Sequence, residues 1–434
     1  MSIPAPPKLT TRRTFLKTSA ASLTAAAAAA AFPFGAHIAQ AAGPETDKAL
    51  LGFIALTDAA PLIVAAEKGL FAKHGMAKVE VLKQASWATT RDNLVLGSAG
   101  SGIDGAHILT PMPYLLATGK ATQNGAPLPM NILARLNLDA QAISVSSAYA
   151  PQKAGADARA LRDPFLKKKA AGTPAKVAMT FPGGTHDLWV RYWLAAGGID
   201  PDRDVETIVV PPPQMVANMK VGTMDCFCVG EPWNAQLVNQ KIGYTAINTA
   251  EIWARHPEKS LALRADWVDR NPKAALAILM AVQEAQIWAD DMAHKDELAE
   301  IIGRRAWLSV PTGDIVERLK GIYDYGNGRV EKSSPHFMKF WRDHASYPFQ
   351  SHELWFLTEN VRWGKLDAAT DRQALIAKVN REDIWREAAK TLGVPPEDIP
   401  ASTSRGKETF FDGKVFDPAA PDAYLASLDI RRTA

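Results

Sequence analysis

The sequence predicts an α/β protein built from two similar lobes, and three observations carry that prediction. First, the chain after residue 41 opens with "KALLGFIALTDAAPLIVAAEKGLFAKHG" and "KVEVLKQ", a strand, a helix and a strand in the order of a parallel unit. Second, "RDNLVLGSAGSGIDGAHI" and "VANMKVGTMDCFCVGEP" each read as an amphipathic helix, a glycine turn and an apolar strand with an aspartate near its start, Asp104 and Asp225. One design used twice, about 120 residues apart, implies two facing lobes. Third, the 393 residues beyond position 41 are too many for one ordinary core.

In the opening unit, Thr57 or Asp58 is placed to cap a helix starting near Pro61 and ending near Gly69. Between the two copies of the repeat, "KVAMTF" predicts a strand, "PGGTHD" a turn, "LWVRYWLAAGG" a helix and "VETIVV" another strand. His186 and Asp187 then sit at a helix start, where free N–H groups and the helix dipole attract anions. From about residue 270 the pattern turns helical, with Leu276, Leu279, Met280 and Ile287 expected on the buried side of a helix opened by Asn271 and Pro272. In "TFFDGKVF", Asp412 and Gly413 fit the two-residue turn of a hairpin. This long aromatic tail is expected to pack on one lobe and to form no third functional domain.

Residues 1–41 read as an export signal. Arg12 and Arg13 precede an alanine-rich apolar run, and "AQAAG" offers small residues for cleavage after Ala41. The paired arginines point to the twin-arginine route, which carries folded cargo. The run is weakly hydrophobic and broken by Pro33 and Gly35, a poor permanent membrane span. No cysteine near the cleavage site offers a lipid anchor, so a soluble periplasmic protein is expected. Loss of Lys8, Arg12, Arg13 and Lys17, with no acid lost, turns a formal charge of +3 into −1. A near-neutral chain without an arginine-rich or aromatic-basic patch gives no reason to expect nucleic-acid binding.

Catalytic patterns are thin. "GSAGSG" around Ser98 and Ser101 lacks the order of a nucleophile turn, and its glycines lie between helix and strand in the wrong order for a dinucleotide loop. Cys226 and Cys228, the only cysteines, share one face of a strand at a spacing unsuited to a disulfide, so buried thiols are expected. The nine histidines are scattered and none stands at metal-ligand spacing with a carboxylate. Glu251, Asp290 and Asp291 read as solvated helix ends. What remains is a set of binding groups at loop ends: Trp87 in "QASWATTRDN", Gln141 in "LDAQAISV", His186 in "GGTHDL" and Lys259 in "HPEKSL". Taken singly, these fit a core aromatic, a surface amide, a helix cap and a surface lysine equally well.

Six blocks change that reading: "LGFIALTDAAPLIVAAEKGLFAKHGM", "SWATTRDNLVLGSAGSGIDGAHILTPMPYLLATG", "FPGGTHDLWVRYWLAAGGIDPD", "VGEPWNAQ", "HPEKSLALRADWV" and "SRGKETFFDG". In this order they closely resemble the nitrate-binding proteins of bacterial and cyanobacterial ABC-type nitrate importers, from about Lys48 to Leu428. The resemblance implies a type II periplasmic binding protein: two α/β lobes with the ligand cleft between them and a helical C-terminal extension. Residues 48–140 are expected to begin the first lobe and residues 141–245 to make the second. Residues 246–434 return to the first lobe and add the extension. It also implies that Trp87, Gln141, His186 and Lys259 match the family's ligand positions, that no cofactor or metal is needed, and that the partners are a membrane permease and its ATPase subunits.

A sister branch of that family binds bicarbonate and, as the resemblance implies, carries glutamate where Lys259 stands here. The exchange has a physical reading. Nitrate is planar, delocalised and able only to accept hydrogen bonds, so its pocket must supply donors. Lys259 adds a full charge, and Gln141, Trp87 and His186 add N–H groups. Bicarbonate carries an O–H that a carboxylate can accept, and a carboxylate can recruit a cation. Like charges ~4 Å apart repel by about 4 kcal/mol at an effective dielectric near 20, so "HPEKSL" argues for nitrate. Nitrite shares the charge and the donor preference. The competing readings are bicarbonate uptake, a nitrate or nitrite sensor of the same fold, which the export signal opposes, and a thiamine pyrimidine synthase-like enzyme, whose longer cysteine cluster "CFC" matches only in part.

Overall fold

Ten strands build two five-stranded sheets of the same plan. The computed structural model describes residues 43–432, so the expected export segment, residues 1–41, lies outside the described residues. The chain lays down Lys48–Phe53 (β1), Lys78–Lys83 (β2), Gly105–Leu109 (β3) and Met130–Arg135 (β4) in the first sheet. It crosses over for Gln141–Ser146 (β5), Lys176–Met179 (β6), Glu206–Val209 (β7), Cys226–Gly230 (β8) and Gly243–Asn248 (β9). Lys259–Arg264 (β10) then returns to the first sheet. The orders are β2-β1-β3-β10-β4 and β7-β6-β8-β5-β9, the two-lobed type II arrangement.

In each sheet three strands run parallel and the strand arriving from the other lobe enters antiparallel to its neighbours. β1 pairs parallel with β2 and β3, while β10 runs against β3 and β4. β6 pairs parallel with β7 and β8, while β5 runs against β8 and β9. This reversal brings the first residues of the two visiting strands to the carboxyl ends of the parallel ones. Lys259 pairs with Leu109, the last residue of β3, and Gln141 with Gly230, the last of β8. Carboxyl ends are where open α/β sheets bind ligands.

The repeat legible in the sequence extends to single hydrogen bonds. Asp104 Oδ2 accepts from Leu50 N at 2.9 Å, and its own N–H donates to Leu50 O at 2.8 Å. Asp225 treats Lys176 in the same way, at 2.8 Å for both bonds. Each aspartate thus clasps the start of the neighbouring parallel strand. Cys226 and Cys228 are free and buried in β8.

Helices cover the sheets: Ala60–Glu67 (α1), Trp87–Leu96 (α2), Thr185–Ala196 (α3), Met215–Lys220 (α4), Pro272–Asp290 (α5) and Gln350–Arg362 (α6). Four expectations need correction. In α5 the buried face is largely alanine, Ala274, Ala275, Ala281, Ala285 and Ala289 with Ile278 and Leu279, while Ile287 is exposed. Asp290 is no solvated helix end: it is buried, accepting from Phe340 N at 2.8 Å and from Arg342 Nε at 2.5 Å. The hairpin near the C-terminus has a three-residue loop, closed by Phe410 N donating to Lys414 O, with Gly413 left-handed at φ 79°. The C-terminal extension also touches both lobes: in α6, Glu353 pairs with Arg135 of β4, and Trp355 stacks on Trp189 of α3 with centroids 5.1 Å apart.

The crossovers run side by side. Leu138 bridges both Pro257 and Lys339. Asp139 and Ala140, which lead into Gln141, are both left-handed, at φ 62° and 60°, a costly backbone state for residues with a Cβ. Asp139 is buried there, bonded to Lys339 Nζ at 3.0 Å and to His256 N at 3.1 Å.

Candidate functional site

The four residues singled out in the sequence meet in one buried cluster. Lys259, His186, Gln141 and Trp87 have no exposed surface at all. Lys259 opens β10, Gln141 opens β5, Trp87 opens α2 after β2, and His186 is the second residue of α3 after β6. The turn into α3 needs a glycine, because Gly183 is left-handed at φ 73°. Lys259 Nζ lies 3.5 Å from His186 Nε2, and His186 Nε2 lies 2.9 Å from Gln141 Oε1. Trp87 reaches the group through the ring of His107, with centroids 5.4 Å apart. Its indole N–H is buried and, among the described residues, finds no acceptor.

Three further residues, absent from the sequence-based set, complete the cluster. Asp58 lies in the turn Thr57–Ala59 ahead of α1 and caps no helix, contrary to expectation. Its Oδ1 meets His107 Nε2 at 2.6 Å. Its Oδ2 meets Lys259 Nζ at 2.9 Å and Gln141 Nε2 at 3.2 Å. Glu258 accepts from Thr185 Oγ1 at 3.0 Å, from Trp189 Nε1 at 2.8 Å and from Lys259 Nζ. Asp58, His107 and Glu258 are fully buried. A signal for two of them was present: His107 interrupts the apolar run "GAHIL", and Glu258 adjoins Lys259.

Asp58 organises the hydrogens. Its carboxylate takes the amide N–H₂ of Gln141, which turns Gln141 Oε1 toward His186 and places a hydrogen on His186 Nε2. Thr180 Oγ1, 2.6 Å from Nδ1, supplies the remaining hydrogen bond to a neutral ring. His107 is fixed likewise, because Ile54 N–H faces its Nδ1 at 3.5 Å and its Nε2 hydrogen goes to Asp58.

The charges follow from burial and neighbours. Burial alone would raise the Asp58 carboxyl, but Lys259 and His107 hold it well below the ordinary range. Burial raises Glu258 above the usual glutamate value, with Lys259 acting the other way. Burial would lower Lys259, yet Asp58 and Glu258 outweigh it and raise the ammonium further. Burial, reinforced by Lys259, pushes His186 well below the usual histidine value. The site is therefore a permanent cation between two acids, with neutral imidazoles around it. The amino ends of α2 and α3 and the turn before α1 also converge here, adding backbone dipoles that favour an anion. Among the described residues, no group of three or more His, Cys, Asp or Glu side chains is arranged to hold a metal ion.

Comparison with known proteins places the sequence and the fold in a family. Residues 42–303 match the model of the NMT1-like family. The chain is 61% identical over 389 residues to the nitrate/nitrite binding protein NrtA of Synechocystis, covering 89% of this chain and 86% of that protein. It superposes on the crystal structure of the periplasmic nitrate-binding protein NrtA from Synechocystis with a TM-score of 0.87 at 60% identity, covering 90% of this chain and all of that one. The bicarbonate-binding protein CmpA of Synechococcus elongatus is 46% identical over 391 residues, 88% of this chain and 86% of its own length. The nitrate import ATP-binding protein NrtC of Synechocystis carries a similar stretch, 37% identical over 385 residues, which is 88% of this chain and 55% of that protein. By sequence and by fold, the chain belongs to the NMT1-like family, in the group of periplasmic nitrate- and bicarbonate-binding proteins.

Proposed function

We propose that this protein is the periplasmic solute-binding component of an ABC-type nitrate importer, capturing the anion by lobe closure and delivering it to a membrane permease driven by ATPase subunits. The observation that carries the ligand is Lys259, a fully buried ammonium at the meeting point of the visiting strands, with the unpartnered indole N–H of Trp87 in the same cluster. Nitrate, which only accepts hydrogen bonds, suits that donor set, and nitrite shares the preference. Trp87, Gln141, His186 and Lys259 are the direct ligands in this reading. The lobes comprise residues 48–140 and 141–245, with residues 246–434 returning to the first lobe and bridging both. Export follows the twin-arginine route signalled by Arg12 and Arg13, without a lipid anchor. The protein acts by binding and not by catalysis: burial raises both thiols in β8, Cys226 and Cys228, far above the range in which a cysteine is reactive.

The test is calorimetric. Residues 42–434, dialysed free of anions, are titrated with nitrate and then with bicarbonate in the presence of calcium, beside Lys259→Glu. Nitrate is expected to bind the wild type. The substitution, which replaces the ammonium between Asp58 and Glu258 with a third carboxylate, should weaken nitrate binding by at least about a hundredfold, since 4 kcal/mol exceeds two decades of affinity. Wild type that ignores nitrate and takes bicarbonate would overturn the proposal.

A further inference from the structure

The cluster holds more negative charge than an anion site can use. Lys259 stands between Asp58 and Glu258, so these three groups sum to one negative charge before any ligand enters. The charged groups packed around them are balanced in pairs: Arg135 with Glu353, Asp187 with Arg191, Asp139 with Lys339 and Arg405 with Glu408. The imidazoles of His107, His186 and His256 are driven toward the neutral form by burial. The thiol of Cys228 is kept protonated in the same way. A nitrate drawn to Lys259 would raise the buried formal negative charge to two, opposed only by partial charges of N–H groups and helix ends, a costly state away from water.

We propose that nitrate binding is coupled to the uptake of one proton, and that Glu258 is the group that takes it. This rests on the nitrate reading above and deepens it. Asp58 is a poor acceptor for the proton, since its three partners, His107, Gln141 and Lys259, all donate from nitrogen and none offers a hydroxyl that could turn to accept. His107 is poor too, because a hydrogen on its Nδ1 would face the N–H of Ile54. Glu258 is placed for the change. Its Oε2 meets the ammonium of Lys259 and the hydroxyl of Thr185, and its Oε1 accepts from Trp189. When Lys259 turns its hydrogens to the anion, a solvent proton on Oε2 can donate to Thr185 Oγ1, since a hydroxyl accepts as readily as it donates. The Trp189 bond to Oε1 stays as it is. Glu258 thus becomes a neutral acid, the ammonium is released to the ligand, and the buried charge stays at one. Lobe opening returns both the anion and the proton to solvent.

Linkage gives the sign. Glu258 binds its proton more tightly in the complex than in the free protein, so affinity falls as pH rises between those two values, by up to about tenfold per pH unit, and is level below them.

The experiment titrates nitrate into the full mature protein at one neutral pH in two buffers of different ionisation enthalpy, phosphate and Tris. The dependence of the observed heat on the buffer counts protons. Close to one proton taken up per nitrate is expected for the wild type. In Glu258→Gln, whose amide oxygen keeps the Trp189 bond while its N–H₂ donates to Thr185 Oγ1 as the protonated acid would, the count should fall to zero, affinity should lose its pH dependence, and nitrate should bind more tightly at high pH than it does to the wild type. Nitrate heat with no buffer dependence in the wild type overturns the coupling. A full proton count persisting in Glu258→Gln overturns the assignment to Glu258. No nitrate heat in any buffer would instead overturn the functional reading beneath it.

Discussion

Trp87 and Gly230 make the demands of the site testable one side chain at a time. The buried indole N–H of Trp87 meets no protein acceptor, and a buried donor in that condition costs about 1–3 kcal/mol unless a ligand satisfies it. Trp87→Phe keeps an aromatic ring and removes the donor. Nitrate affinity should drop about tenfold, the worth of one hydrogen bond to an anion; an unchanged titration would return Trp87 to a packing role. At Gly230, the end of β8, an added Cβ would lie 2.5 Å from Gln141 Oε1 and 3.1 Å from Asp58 Oδ2. Gly230→Ala therefore pushes apart the pair that orients Gln141 and His186, and should weaken nitrate by roughly tenfold or more. Full affinity in that variant would show that Gln141 is not held by Asp58. The sequence singled out Trp87, Gln141, His186 and Lys259, three of them inside the resembling blocks and Gln141 outside them, but it misassigned Asp58. A Thr-Asp pair ahead of a proline-started helix satisfies the capping pattern, and only the approach of β10 and β3 shows that Lys259 and His107 claim its oxygens.

The elements were legible wherever a local signal sets them. The helix, glycine turn and strand repeat was visible because Asp104 and Asp225 must each clasp a neighbouring strand, so their spacing from the glycines is fixed. The antiparallel entry of β5 and β10 was not visible, since strand direction relative to a neighbour has no local signature. The buried face of α5 was misjudged in part for a related reason. Leu279 is buried and Leu276 and Met280 pack against the core as expected, but much of the remaining face is alanine, which marks it weakly, and Ile287 lies off it. The C-terminal extension follows the same logic, because the partners of Glu353 and Trp355 come from different lobes, and aromatic content alone does not say which. The crossovers give a prediction of their own. Asp139, left-handed like Ala140 after it, is buried and paired with Lys339, so Lys339→Met leaves an uncompensated carboxylate at the junction of the lobes. That should destabilise the protein by about 3 kcal/mol in urea unfolding. A loss below about 1 kcal/mol, the worth of an exposed pair, would mean that solvent reaches Asp139.

Stability as a function of pH gathers these buried groups into one measurement. His256 and His352 lie deep beside the aromatic cluster of Trp189, Trp253 and Trp355, and burial, joined by the nearby Arg405, pushes each down to about 3. His107 and His186 shift the same way but line the ligand cleft, so their contribution also answers to its opening. An unfolded histidine titrates near 6.5. A group whose folded value is depressed adds stability that is full above its unfolded value and is lost as pH falls toward the folded one, so the window for both rings runs from about 6.5 down to 3. Each ring then costs about 1.4 kcal/mol per pH unit once below that start. Glu408, held down to about 2 because Arg405 and His352 outweigh its burial, adds a loss of the same sign only below about 4.5. Glu258 and Asp139, shifted upward by burial, act in the opposite sense, their destabilisation being relieved as pH falls through their folded values toward the ordinary carboxylate range. Between pH 6.5 and 5, His256 and His352 together should cost the nitrate-free protein roughly 3 kcal/mol of unfolding free energy. Urea titrations at a series of pH values would measure it, and His352→Gln should lower the slope by about 1.4 kcal/mol per pH unit. A flat profile across that interval would mean that the rings are already charged in the folded protein, and that the aromatic cluster is wetter than its burial implies.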